Sequence, residues 1–221
     1  MNIFDIIWEY KNFFKEGLKN TLFLIALIYP IGLFLGSFSG IISHKYKKNI
    51  GIIIRLLSVL VAATPILVIL FWLHYPFQYI LEIVVEPIYT AVFAISLVCT
   101  FLVSDIIFNA INDFPNQYIS SAKVCGLNNK DIVLKIQFPL ILRQILPSII
   151  NILVIVLQMT LFASLISVNE LFRVAQQINA EIYRPVEIYT AVGIFYAVIS
   201  LLIFGIAHWF KLKFTRNISE S

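Results

Sequence analysis

The chain has 221 residues, 60% of them apolar and 13% charged, with a net charge of +4 and a mean hydropathy of +0.92. Soluble domains run at roughly 45–50% apolar and 25% charged, and a single globular core of this length cannot absorb such an excess. The composition therefore identifies an integral membrane protein, and the basic balance bears on which side each loop faces rather than on nucleic acid.

A hydrocarbon core of about 30 Å needs about 20 helical residues to cross it, and five apolar stretches qualify: 21–43, 53–74, 87–108, 145–168 and 188–209. The expectation is an all-α fold of five transmembrane helices in one domain, 1–221. The segment before the first stretch carries Asp5, Glu9 and Glu16, and the stretch is too long for the apolar region of a signal peptide, so we expect it to be retained. Within it, Gly32, Gly36 and Gly40 repeat at four-residue spacing, a pattern that lets helix backbones approach closely in lipid. Pro30, Pro65 and Pro147 fall in or at the ends of spans, where each frees a backbone carbonyl.

The connections carry the orientation. The first holds Lys45, Lys47, Lys48 and Arg55 and no acid, whereas the second holds Glu82 and Glu86 and no base. The third adds Lys123, Lys130, Lys135 and Arg143, and the tail adds Lys211, Lys213 and Arg216. By the bias of basic residues toward the cytoplasm, the N-terminus lies outside and the C-terminus inside. Trp72, Tyr75, Tyr79, Tyr89 and Trp209, near span ends, fit interfacial belts.

Asp105 lies near the inner end of the third span, and an ionisable residue there is a functional candidate by default. We expect it to pair with Arg143 or Lys123; as a proton relay it would make the chain a proton-coupled carrier. The third connection, 109–144, is the longest. A helix ending at Gly126 and a second one capped by Asn128 or Asn129, with Asp131 in its first turn, make a projection suited to docking. In the fourth span Gln158, Thr160 and Ser164 are polar, and with Thr64 and Pro65 of the second they are the candidates to line a pathway. Thr160 and Ser164, at i and i+4, would share one helix face. The fourth connection, 169–187, mixes Glu170, Arg173, Glu181 and Arg184 and reads as an external surface.

Catalytic and metal sites are not expected. Cys99 and Cys125 read as small buried hydrophobes, and His44, His74 and His208 sit near span ends on opposite sides. The chain has no G-x-x-x-x-G-K-[ST] loop, so nucleotide phosphates must be handled elsewhere.

The third connection resembles the signature of a known family, the permease subunits of ABC importers for polar amino acids of the histidine, glutamine and arginine type. That signature reads E-A-A, three residues, G, nine residues, I, one residue, L-P. Here Ser120, Ser121 and Ala122 are followed at the same spacing by Gly126, by Ile136 and by Phe138-Pro139. Ala62-Ala63-Thr64-Pro65-Ile66-Leu67-Val68 is similar to the family's R-G-T-P-L-L-V segment, and Glu170-Leu171 falls where an E-L pair is usual. The resemblance implies the type I importer permease fold, in a bacterial inner membrane. Its ATPase-coupling loop would be built from Pro115, Ser120, Ser121, Ala122, Gly126, Ile136 and Pro139.

The resemblance further implies partners: ABC ATPase subunits holding ATP and magnesium, an extracytoplasmic amino-acid-binding protein, a second permease subunit and the surrounding lipid. The family's acidic residue is Ser120 here and its K-D pair is Gln158-Met159. Losing that carboxylate removes a charge-assisted contact. It suggests pairing with a different permease chain that keeps the charges, with Glu170 remaining on the pathway. Two other readings stand beside this one: the proton-coupled carrier using Asp105, and a non-transporting membrane scaffold.

Overall fold

The computed structural model describes residues 2–215, which are almost wholly helical. Arg216 of the basic tail lies outside the described residues. Helix α1 (Ile3–Glu9) runs through Tyr10 into α2 (Lys11–Lys45), so the first span is joined to a helical extension that begins ten residues before the hydrophobic run. Lys11, Lys15, Glu16 and Lys19 are good helix formers, while Phe14, Gly17 and Thr21 turn inward. Hydropathy marks where lipid begins, and helix propensity carries the rod beyond it.

The second span is broken. Helix α3 (Ile50–Ala63) and helices α4 (Ile66–His74) and α5 (Pro76–Ile80) meet at a bend of 98°. Thr64 is extended, with φ −93° and ψ 124°, because a following proline clashes with helical backbone at the residue before it. Pro65 in turn has no N–H to continue the ladder. The continuous span expected at 53–74 is thus two pieces, and the cause is the Thr-Pro step. Among the described residues four other helical runs are long and apolar enough to cross a membrane by themselves, so counting the bent pair as one gives five.

Helix α6 (Pro87–Asn112) is the centre of the bundle, with Ala91, Ala94, Ile95, Cys99 and Val103 fully buried. Against it lies the glycine face of α2. A side chain at Gly32 would overlap Cys99, one at Gly36 would overlap Val103 and the Thr100 carbonyl, and one at Gly40 would overlap the Ser104 carbonyl. In lipid there is little water to exclude between helices, so contact distance decides association; the expected close approach is what this seam shows. Tyr29 adds a hydrogen bond from its hydroxyl to the Ile149 carbonyl at 2.8 Å, tying α2 to the fourth span.

After α6 come α7 (Asn116–Val124), the short α8 (Asn129–Ile132), a π-helical turn (Val133–Gln137) and α9 (Phe138–Thr160). The wide turn precedes Pro139, which has no N–H for the Lys135 carbonyl; Phe138 N–H reaches Val133 instead. Helix therefore starts well before residue 145, where the hydrophobic run alone placed it. A 3-10 stretch, Leu161–Ile166, ends α9 at Ser167 in the left-handed region.

The largest correction concerns 169–187. Most of that segment is helix α10 (Leu171–Ile182), folded into the protein. Leu171, Val174, Ala175 and Ile178 form its buried face, packed with Ile6 and Phe14 and with Ile188 and Val192 of α11 (Pro185–Thr215). Asp105 is also reassigned, since it accepts a hydrogen bond from Ser58 at 2.6 Å and forms no ion pair with Arg143 or Lys123. Cys99 is buried as expected, but Cys125 is exposed, at the tip of the α7 turn.

Candidate functional site

At one end of the bundle the start of α10 is closed by a polar knot. Glu170 is the N-cap: Oε1 accepts from Arg173 N–H at 2.8 Å and Oε2 from Phe172 N–H at 2.9 Å. The Tyr196 hydroxyl of α11 donates to the same Oε2 at 2.8 Å. Thr21 of α2 completes the cap, accepting from Leu171 N–H at 3.0 Å while its own hydroxyl donates to the Gly17 carbonyl. The first three N–H groups of the helix, which have no intrahelical partner, are thereby answered by Thr21 and Glu170, with Tyr196 of a third element holding the carboxylate.

Glu170 is fully buried, and burial pushes its carboxyl up to about 7, although its hydrogen bonds from Phe172, Tyr196 and Arg173 pull the other way. Beside the knot, between α9, α10 and α11, is a cavity of about 430 Å³ walled by Gln158, Phe172, Tyr189, Gly193, Tyr196 and Ser200. A second cavity of about 300 Å³ lies between α2, the start of α6 and the turn after Ser167, with Asn20, Glu86 and Asn169 on its rim. Tyr196 is the link in this arrangement: it lines the larger cavity and its hydroxyl holds Glu170.

Of the pathway residues read from sequence, Gln158 is on the wall of the larger cavity. Thr160 and Ser164 are fully buried and spend their hydroxyls on the Leu157 and Leu161 carbonyls at 2.7 Å. Because 161–166 is 3-10 rather than α, the shared face expected from i and i+4 is lost. Thr64 bonds back to the Leu60 carbonyl at the bend and, like Pro65, lies apart from both cavities. Tyr189, Gly193, Tyr196 and Ser200 were missed; their spacing of four, three and four is a helical stripe of polar and small residues on an apolar span.

At the other end, α7 ends in the expected glycine turn. Gly126 has φ +78° and nothing within 4 Å of where a Cβ would stand. Its N–H bonds to the Lys123 carbonyl at 3.0 Å and the Leu127 N–H to the Ala122 carbonyl at 3.1 Å, a closed left-handed cap. Asn128 Oδ1 accepts from Asp131 N–H at 2.8 Å, and Lys135 pairs with Asp131 at 2.8 Å. Pro115 begins α7; Ser120 and Ser121 face out, Ala122 faces in, and Ile136 and Pro139 are half-buried. Tyr118, Val124, Val133, Leu134 and Phe138 leave apolar surface exposed around the turn. The backbone is satisfied while Val124, Val133, Leu134 and Phe138 stay exposed, an arrangement that presents a preformed, partly apolar shape at the surface of the chain.

Among the described residues no group of three metal-ligating side chains converges. His74 Nδ1 instead lies 3.3 Å from Thr90 Oγ1 and from Gln78 Nε2, and His44 packs on Phe108.

Comparison with known proteins was made on this background. The family described as "Binding-protein-dependent transport system inner membrane component" matches residues 29–216. The glutamine transport system permease protein GlnP of Escherichia coli strain K12 is 26% identical over 199 residues, covering 89% of this chain and 90% of its own. The histidine/lysine/arginine/ornithine transport system permease protein HisM of the same strain is 27% identical over 215 residues, covering 93% and 90%. Among solved structures, an amino acid ABC transporter crystallised with histidines matches with a TM-score of 0.89 at 22% identity, over 96% of this chain and 99% of that one. The MetNI methionine ABC transporter in an inward-facing conformation matches with a TM-score of 0.72 at 15% identity, over 90% and 95%. The fold is that of type I ABC importer permeases.

Proposed function

The chain belongs to the family of binding-protein-dependent transport system inner membrane components, and on that premise we propose that it is one permease half of an ATP-driven importer for polar amino acids. The amino-acid reading is supported by the relatives that transport glutamine and basic amino acids and by the cavity beside Tyr196. Its volume lies within the range of small-molecule sites, and it mixes apolar walls with a few polar groups. Phe172, Tyr189 and Tyr196 supply aromatic rings to that wall, the chemistry that attracts an ammonium group, with Gln158 and Ser200 beside them. Glu170 acts from behind Tyr196, fixing its hydroxyl and setting the local charge.

The observation that carries the coupling reading is the exposed left-handed turn at Gly126, held between α7 and α8 with its backbone closed and its surroundings empty. It docks on a separate ATPase chain that holds ATP and magnesium. The basic connections favour placing this turn and the C-terminus in the cytoplasm, with the N-terminus outside facing the binding protein. A second, different permease chain completes the pathway and supplies the charges that Ser120 and Gln158 lack. ATP binding then selects the outward-facing arrangement by docking better to it.

Gly126→Asp tests this in the complete transporter. The open site has room for an aspartate side chain, and the left-handed backbone at φ +78° strains only the local turn, so the chain still reaches the membrane; uptake is lost while the partner's ATP hydrolysis persists without response to substrate. Normal uptake by the variant overturns the coupling assignment. Purification that yields two copies of this chain with an ATPase and no other permease overturns the mixed pairing alone.

A further inference from the structure

The turn between α2 and α3, at the end of the bundle that carries Asn112 and the start of α7, gathers Lys45, Lys47, Lys48 and Arg55 with no acid among them. All four are exposed. Two are drawn to one aromatic ring: the Arg55 guanidinium carbon is 4.8 Å from the Phe108 centroid and Lys47 Nζ is 6.0 Å from it. Lys47 is held there by a 2.7 Å hydrogen bond to Asn112 Oδ1, and Lys45 lies over Tyr46.

The acids nearby are otherwise engaged. Asp113 accepts from Asn112 Nδ2 at 3.0 Å and Asp105 from Ser58 at 2.6 Å, and the salt bridges among the described residues lie elsewhere. Two cations gathered about one ring repel each other, and an anion shared between them relieves that repulsion. Directly along α3 from this pair, Ile52, Ile53, Leu56, Val59 and Leu60 are each more than half exposed. A charge pair at the membrane edge continuous with an apolar face calls for a ligand with an anionic head and hydrocarbon tails, which a free phosphate lacks.

We infer that the α2–α3 turn is a binding site for an anionic phospholipid, whose phosphate is shared by Lys47 and Arg55 beside Phe108 and whose acyl chains lie along α3. Polybasic segments next to a span are drawn to anionic lipid surfaces in general; here the ring and Asn112 fix two of the cations in place. The site does not depend on what the chain transports, so it stands or falls apart from the proposed function.

The test is native mass spectrometry of the transporter purified through this chain, after exposure in the same detergent to dioleoyl phosphatidylglycerol or dioleoyl phosphatidylcholine. The wild type retains phosphatidylglycerol as a discrete adduct in preference to phosphatidylcholine. The double variant Lys47→Gln/Arg55→Gln loses that retention by about thirtyfold, the scale expected for two interfacial cations. Lys15→Gln/Lys19→Gln, which removes the same charge from the opposite end of α2, retains it, and Arg55→Lys retains most of it. Equal retention by the Lys47/Arg55 double variant overturns the site, as does equal binding of the two lipids or displacement of the adduct by inorganic phosphate. A photo-crosslinker at residue 59, one turn beyond Arg55 on α3, reads the tails: capture of lipid supports the site, and capture of a polypeptide instead overturns it by giving the α3 face to a protein partner.

Discussion

Around Glu170 the polar groups at the start of α10 are answered from within the chain, by Thr21, Glu170 and Tyr196 drawn from three elements. Around Gly126 the backbone is also satisfied, but the hydrogen bonds are local and no heavy atom stands where a side chain would be. Both ends turn the chain into or out of a helix, and they do so by opposite means. A cap tied to distant elements makes local geometry hostage to tertiary structure, so that moving α11 must disturb α10. A cap tied only to its neighbours keeps its shape whatever the bundle does, as the docking role proposed for it requires.

The sharpest way to break the comparison is Glu170→Ala. It removes the cap and leaves two N–H groups and the Tyr196 hydroxyl unanswered in a buried place, costing about 4 kcal/mol; thermal unfolding in detergent reads the loss, and Glu170→Gln recovers part of it. Acidity gives the next effect. Burial raises the folded-state carboxyl from 4.5 to about 7, so the folded chain binds this proton more tightly than the unfolded one. Relative to Glu170→Gln, the wild type is therefore most stable below about pH 4.5 and loses on the order of 3 kcal/mol as pH rises through about 7. A flat difference across that interval would place the carboxyl in water. The smallest change belongs to the other end: Asn128→Ala removes a single local cap and costs about 1 kcal/mol, seen as faster hydrogen exchange confined to 126–135.

The same contrast explains what the amino-acid sequence made legible. The Gly126 turn was readable because its determinants are neighbours in the chain: a glycine, a capping asparagine and an aspartate in the next turn. The close seam at Gly32, Gly36 and Gly40 was readable because spacing alone encodes it. Helix α10 escaped because Glu170, Arg173, Glu181 and Arg184 lend its segment the look of a solvated loop, although Leu171, Val174, Ala175 and Ile178 already stand at i, i+3, i+4 and i+7. That Glu170 is a cap buried under Tyr196 rather than a charge on a surface depends on residues 26 positions apart, and no local pattern announces it. The bend at Thr64-Pro65 was visible as a proline and overruled by continuous hydropathy, which does not register the preference of the residue before proline.

That bend also constrains how the chain enters a bilayer. Helix α3 has 14 residues and so rises about 21 Å, short of the about 30 Å hydrocarbon thickness, and α4 with its 9 residues is shorter still. Neither piece can be handed to lipid as a finished crossing, because the hydrogen-bond ladder is interrupted at Pro65, which has no N–H to donate, and that interruption would be left in hydrocarbon. The second crossing is thus completed only when α6 packs against both α3 and α4, which makes insertion of the first half of this protein a cooperative event rather than a series of independent helices.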